Sequence, residues 1–375
     1  MRDAYAARAA RAYVAMQRWL DPRTGLYRRD GRLHLPGSAA HLWPFSRALV
    51  ATLDLAGIGD GLVDGIDLNA AVEARLGALE RYWDPEREPP AYSSDLRGSR
   101  LGGDRYYDDN AWVGLALIQL ERMRPGSGYL DRAAELFSFA QGGWAFEHEP
   151  HPGGVYWVEQ SRGLGLKNHD RNTVSTAPNA ELGLHLVELG ARTPGSGSAD
   201  GPQPSEMYEW VLAALDESLG GDAPGTGLFW DKLCGDGTID KAIWSYNQGS
   251  MVGLGVLLAR SAPAGAGAEP LRHAEAIAAK ALRRFAGSYE RQPAAFHAIF
   301  FRDLLRLHDA TGDEQLRGGI LEAMRGYADW AWNAARDSDD RFRLPNGGLT
   351  LLNQSAIVQL LALLAWDPGR YGLLT

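Results

Sequence analysis

The 375-residue chain reads as all-α, an (α/α)6 barrel of six inner and six outer helices. Three observations predict this. Helical periodicity runs through nearly the whole sequence, strand-like alternation is scarce, and the helices alternate in character along the chain. Odd-numbered helices carry charges on one face, whereas even-numbered ones are apolar almost all round. A helix apolar on every side is buried on every side, so six of each kind suggest two concentric rings. A long α-solenoid would show a fixed sequence period, and none is visible.

Twelve helices are expected, near 3–20, 40–56, 69–83, 108–123, 128–141, 173–190, 205–219, 246–261, 270–287, 295–311, 314–335 and 353–366. The charged type is seen in Ala71-Val72-Glu73-Ala74-Arg75-Leu76 and in Arg272-His273-Ala274-Glu275-Ala276. The apolar type is seen in Ala111-Trp112-Val113-Gly114-Leu115, Met251-Val252-Gly253-Leu254 and Ser355-Ala356-Ile357-Val358. Gly, Pro, Asp and Ser clusters, such as Pro194 to Ser205, read as loops within one domain spanning 1–375, because similar helices continue on both sides.

The stretch before each even-numbered helix is rich in aromatics, amides or carboxylates. In order these are His41-Leu42-Trp43-Pro44-Phe45, Tyr106-Tyr107-Asp108-Asp109-Asn110, Arg171-Asn172-Thr173-Val174-Ser175, Trp244-Ser245-Tyr246-Asn247-Gln248, Pro293-Ala294-Ala295-Phe296-His297 and Leu352-Asn353-Gln354. Inner helices of a two-ring barrel run parallel, so these segments converge on one mouth. Polar groups gathered at the end of an apolar barrel are what a small-molecule site needs. Helix capping accounts for one small polar residue per helix, and it leaves the aromatics unexplained.

Composition narrows the function. The chain has 38 basic and 47 acidic residues, net −9, a poor balance for gripping a phosphate backbone. One cysteine, Cys234, excludes a disulfide framework and any zinc site built from several thiolates. The longest apolar run, Met251 to Ala259, is too short to span a bilayer. The first twenty residues lack the apolar core of a secretory signal, so a cytoplasmic chain is expected, or a secreted one if a leader precedes it. Glu147-His148-Glu149-Pro150-His151 lacks metal-binding spacing and reads as a solvated loop. Asp337-Ser338-Asp339-Asp340 is an acidic turn without the downstream Gly and Glu of a calcium loop.

Asp108-Asp109 is the strongest chemical signal. Adjacent helical residues point about 100° apart, so the two carboxylates can share one pocket. The helix N-terminus favours the anion while like-charge proximity raises one pKa. One ionised and one protonated carboxyl group is what glycoside hydrolysis requires. Trp43, Tyr107, Trp112, Trp157, Trp230, Trp244, Tyr246 and Phe296 are candidates for stacking on sugar faces, with Trp112 better explained by core packing. Asn172, Asn247, Gln248, Asn353 and Gln354 could bind hydroxyls or equally serve as ties between helices.

Tyr107-Asp108-Asp109-Asn110-Ala111-Trp112 resembles the signature of glycoside hydrolase family 76, the endo-α-1,6-mannanases. Arg171-Asn172-Thr173-Val174-Ser175-Thr176-Ala177-Pro178 and Tyr246-Asn247-Gln248-Gly249 resemble further segments of that family in the same order, and Phe296 to Arg302 and Asn353-Gln354-Ser355 fit more loosely. The resemblance implies a retaining double displacement on α-mannosides without a metal or other cofactor. It makes Asp108 the nucleophile and Asp109 the general acid/base. From the residues themselves, Trp43, Tyr107, Asn172, Tyr246, Asn247, Gln248 and Phe296 are expected to bind the sugar. Two other readings fit the barrel. One is a sugar epimerase or isomerase using His41 and His297; the other is a non-catalytic glycan-binding barrel.

Overall fold

The computed structural model describes residues 1–29, 39–59, 61–99, 103–159, 169–191, 201–218, 227–263 and 265–375. It contains α1 (Arg2–Met16), α2 (Leu42–Ala56), α3 (Leu68–Leu79), α4 (Tyr107–Met123), α5 (Leu130–Gly142), α6 (Thr173–Glu188), α7 (Pro204–Leu215), α8 (Ser245–Ser261), α9 (Ala268–Phe285), α10 (Ala294–Ala310), α11 (Glu314–Trp330) and α12 (Leu351–Ala365). The even-numbered helices close a ring, each packing on the next, with α12 returning to α2. The odd-numbered helices lie outside it: α1 against α12 and α2, α3 against α2, α5 against α4 and α6, α7 against α6 and α8, α9 against α8 and α10, α11 against α10 and α12.

Burial follows the two sequence types. Every residue of α6 from Thr173 to Leu186 is buried. In α9 only Ala274, Ile277, Ala278, Ala281 and Phe285 are, a single stripe at helical spacing. Asp67 and Asp313 cap the outer helices α3 and α11 with their side chains, each accepting two backbone N–H groups. The helix expected over 314–335 stops at Trp330 and passes into a π turn, Ala331–Ala335. The loop expected at 194–205 lies outside the described residues as far as residue 200. Among the described residues no helix is long and apolar enough to cross a membrane.

The lower half of the barrel departs from the expectation of inner helices apolar almost all round. Arg302 of α10 reaches across the barrel to Asp54 of α2 and Gln119 of α4. Arg306 pairs with Asp303 at 2.8 Å and with Glu181 of α6. Arg47 donates to Gln359 of α12 at 2.7 Å, whose amide donates back to the Arg47 carbonyl at 3.1 Å. Such charges survive burial because each meets a partner. Gly253 makes room for them. A Cβ there would stand 2.6 Å from Asp303 Oδ1 and 2.7 Å from an Arg306 guanidinium nitrogen.

Short strands decorate the helix ends: β1 (Leu62–Val63) with β2 (Ile66–Asp67), β3 (Trp83–Asp84) with β4 (Ala91–Tyr92), and β5 (Arg171–Asn172), β6 (Lys232–Leu233) and β7 (Ile239–Asp240) in one antiparallel sheet. The last of these lies at the mouth. It is extended by bridges from Tyr156 to Arg171 and from Tyr106 to Val158.

Candidate active site

The mouth of the inner ring opens into a cavity of about 680 Å³. Its lining draws on the start of every inner helix: Trp43 of α2, Asp108 and Asp109 of α4, Val174 of α6, Tyr246 of α8, Phe296 of α10 and Leu352 of α12. Trp112, one turn further into α4, forms the floor. Beneath it a void of about 10 Å³, room for no more than one water, separates it from the buried ions.

Several contacts fix the start of α4. Arg105 is fully buried, pairs with Glu159, and donates to the carbonyls of Arg87 and Pro89 at 3.0 and 2.8 Å. Asn110 exchanges hydrogen bonds with the Tyr92 backbone at 2.8 and 3.0 Å. Asn179 of α6 donates to the Tyr107 carbonyl at 3.1 Å. Opposite, the Tyr107 N–H donates to the Trp157 carbonyl at 3.1 Å and the Trp157 N–H to that of Asp170 at 2.9 Å, so Trp157 is held on the same wall as the dyad.

Asp108 and Asp109 both line the cavity, in unlike surroundings. Asp108 accepts two N–H groups: Oδ1 takes the Asp109 backbone amide at 2.9 Å and Oδ2 the Trp157 indole at 3.2 Å. These bonds favour its anion and oppose the burial that pushes it up to about 7. Burial, reinforced by the neighbouring Asp108 charge, holds Asp109 well above the usual carboxylate range. Asp108 is therefore the group that ionises first, and Asp109 the one that keeps a proton.

A third carboxylate, Asp231, faces the same cavity, and no motif in the sequence marks it. Burial pushes it up to about 6, against a hydrogen bond of 3.3 Å from the Asn247 amide. Beside it Lys232 is tied to Asp170 at 2.8 Å. Both stand at the start of β6, in a Trp230-Asp231-Lys232 stretch that lacks a helical pattern and that pairs with Asn172 far back in the sequence as well as with Asp240 nearby.

Among the expected sugar-contacting residues, Trp43, Asn172, Tyr246 and Phe296 line the cavity. Tyr246 stacks on Phe296 with ring centroids 3.9 Å apart and planes within 6°, and Trp43 approaches Phe296 at 6.2 Å. Three expectations need correction. Tyr107 turns outward and stacks on Phe139 of α5 at 4.4 Å, because the side chain before Asp108 points about 100° away from it. Gln248 is buried, exchanging bonds with the Phe229 backbone at 2.8 and 3.0 Å. Asn247 is buried too, and reaches the cavity only through Asp231. Trp112 and Trp157, by contrast, do line it, while Trp244 packs edge-on behind Phe296 at 5.6 Å. His297 faces α11, donating Nε2–H to the Tyr289 carbonyl at 2.6 Å, where burial pulls its pKa down to about 4. His41 sits on the rim, 3.0 Å from Asp95.

A helical two-ring barrel with paired carboxylates and stacked aromatics in its mouth defines a carbohydrate-active enzyme. The chain belongs to glycosyl hydrolase family 76, whose sequence profile matches residues 90–343, and is a glycoside hydrolase. Solved structures share the fold. A family 76 mannosidase from Bacteroides thetaiotaomicron superposes with a TM-score of 0.77 at 20% identity, over 96% of this chain and 98% of that one. An inactive variant of an α-1,6-mannanase from Salegentibacter, with two consecutive aspartates replaced by asparagine, was solved with α-1,6-mannotriose; its TM-score is 0.72 at 18% identity, over 96% and 99%. A D-mannose isomerase superposes less closely, at 0.64 and 14% identity, over 96% of both chains. No curated protein sequence matches the chain significantly.

Proposed function

We propose that this chain is a retaining α-mannoside hydrolase, acting on α-1,6 linkages by double displacement. The observation that carries this reading is the unequal hydrogen bonding of the two adjacent carboxylates. The ionised Asp108 attacks the anomeric carbon while the acid form of Asp109 protonates the departing oxygen. The mannosyl ester on Asp108 is then opened by a water whose proton returns to Asp109, which restores both groups. Asp231, braced by Asn247, is placed to accept bonds from sugar hydroxyls, and the Tyr246–Phe296 pair offers an apolar platform for ring C–H groups. Support for the mannoside comes from the Salegentibacter relative, which was solved with α-1,6-mannotriose and is inactive without its two consecutive aspartates. Support against a histidine-driven isomerase comes from His297, which faces away from the cavity.

The test is incubation with α-1,6-, α-1,2- and α-1,3-linked mannotetraoses, and separately with free mannose, with products sized by mass spectrometry and sugar isomers told apart by NMR. Shorter α-1,6 products are expected. Intact α-1,6-mannotetraose, or release of an isomerised sugar from free mannose, would overturn the reading.

A further inference from the structure

The cleft extends beyond the dyad. A second lobe of about 480 Å³ adjoins the first, and His41, Trp43, Pro44, Phe296 and Leu352 line both. Trp43 and Phe296 therefore form a ridge over which a sugar chain can pass from one lobe to the other.

The two lobes differ in charge. The first faces Asp108, Asp109 and Asp231, and the one lysine or arginine among its described lining residues, Lys232, is already paired. The described lining of the second contains Arg28 and Arg29 and no carboxylate. Arg29 lies 3.3 Å from Asp95, which also holds His41. Arg28 forms no ion pair with a carboxylate among the described residues, although its backbone is fixed by a bond of 2.8 Å to the Trp19 carbonyl and a bridge to Ala39. A guanidinium can donate to neutral sugar hydroxyls, but its unit charge has no counterpart on a neutral mannoside, and the chain as a whole is acidic, net −9. A planar guanidinium at the end of a sugar cleft matches a phosphate in geometry and charge.

We propose that the second lobe receives a phosphorylated sugar of the mannoside chain, with its phosphate on Arg28. This rests on the mannoside reading above and names a substrate class within it. Mannosides carrying a phosphate beyond the ridge are then preferred over neutral ones of equal length.

Calorimetry on the full-length Asp109→Asn chain tests this with three ligands: neutral α-1,6-mannotetraose and the same sugar phosphorylated at O6 of its non-reducing end or on its reducing-end residue. One phosphorylated isomer is expected to bind about tenfold tighter than the neutral sugar, the worth of one charged hydrogen-bonded contact. That advantage should shrink with added salt and vanish in Arg28→Gln. Equal affinity of all three sugars overturns the assignment while leaving the mannoside reading intact. Inorganic phosphate binding as tightly as the phosphorylated sugar also overturns it, since the lobe would then be a plain anion site. Failure of the neutral tetraose to bind removes the mannoside reading itself, a separate result.

Discussion

The Trp157 indole donates its N–H to Oδ2 of Asp108 across 3.2 Å, from a segment that enters the mouth between α5 and α6. With the Asp109 amide on Oδ1, the bond leaves Asp108 with two donors, both favouring its anion. The opposite protonation preferences of two neighbouring aspartates thus depend on a tryptophan some fifty residues away in the chain.

Trp157→Phe removes that donor and keeps most of the ring. The Asp108 pKa rises further, so the acid limb of kcat/KM against pH moves to higher pH. At pH 7 the rate should fall about tenfold, the scale of one hydrogen bond to a charged group. A pH profile of wild type and variant checks this; coincident acid limbs would show that the indole does not hold the anion.

In the wild type, kcat/KM should rise as pH passes about 7, where Asp108 ionises, and decline at higher pH as Asp109 loses its proton. The apparent values belong to the pair. An activity maximum near pH 4 would contradict this.

The same shifts govern stability. A carboxyl group whose folded pKa lies above its unfolded one binds more protons in the folded state, so its contribution falls as pH rises between the two values. Asp109→Asn removes that penalty. The variant should melt a few degrees above wild type at pH 8, and the difference should shrink towards pH 4, as thermal denaturation across pH will show.

Asp109→Ala should lower turnover of mannooligosaccharides by about 10²–10⁴-fold, the range for a lost general acid. Aryl mannosides with a strongly acidic phenol as leaving group need no protonation, so their glycosylation step should be largely spared. Asp108→Ala should be inactive on both. Equal losses on the two substrates in Asp109→Ala would remove its role as proton donor.

His297→Ala separates hydrolase from isomerase. The side chain packs against Tyr289 and Tyr327, so its removal costs stability, about 2–4 kcal/mol for a buried ring. Activity per folded molecule should stay unchanged, measured at a temperature where circular dichroism shows the variant folded.

Much of this was legible in the sequence. The alternation of helix character gives the two rings because burial on all sides leaves no polar face, and α6 and α9 show the two extremes. Asp108 and Asp109 stood out as paired charges at the start of an apolar helix. Asp231 and the hydrogen bond from Trp157 to Asp108 did not, because both are set by pairings distant in sequence, Trp157 to Asp170 and Lys232 to Asn172. Tyr107 was misplaced because an aromatic beside a catalytic motif looks the same whether its ring turns to the cavity or to Phe139. The buried arginines were hidden by the distance between partners, since Arg302 and Asp54 are 248 positions apart.

The most direct test is to trap the intermediate. An α-mannobiosyl fluoride bearing a 2-fluoro substituent on the reacting sugar slows release of the ester, and digestion followed by tandem mass spectrometry locates it. The mass increase should fall on Asp108. Its appearance on Asp109 or Asp231, or a product of inverted configuration with no adduct at all, would contradict the account.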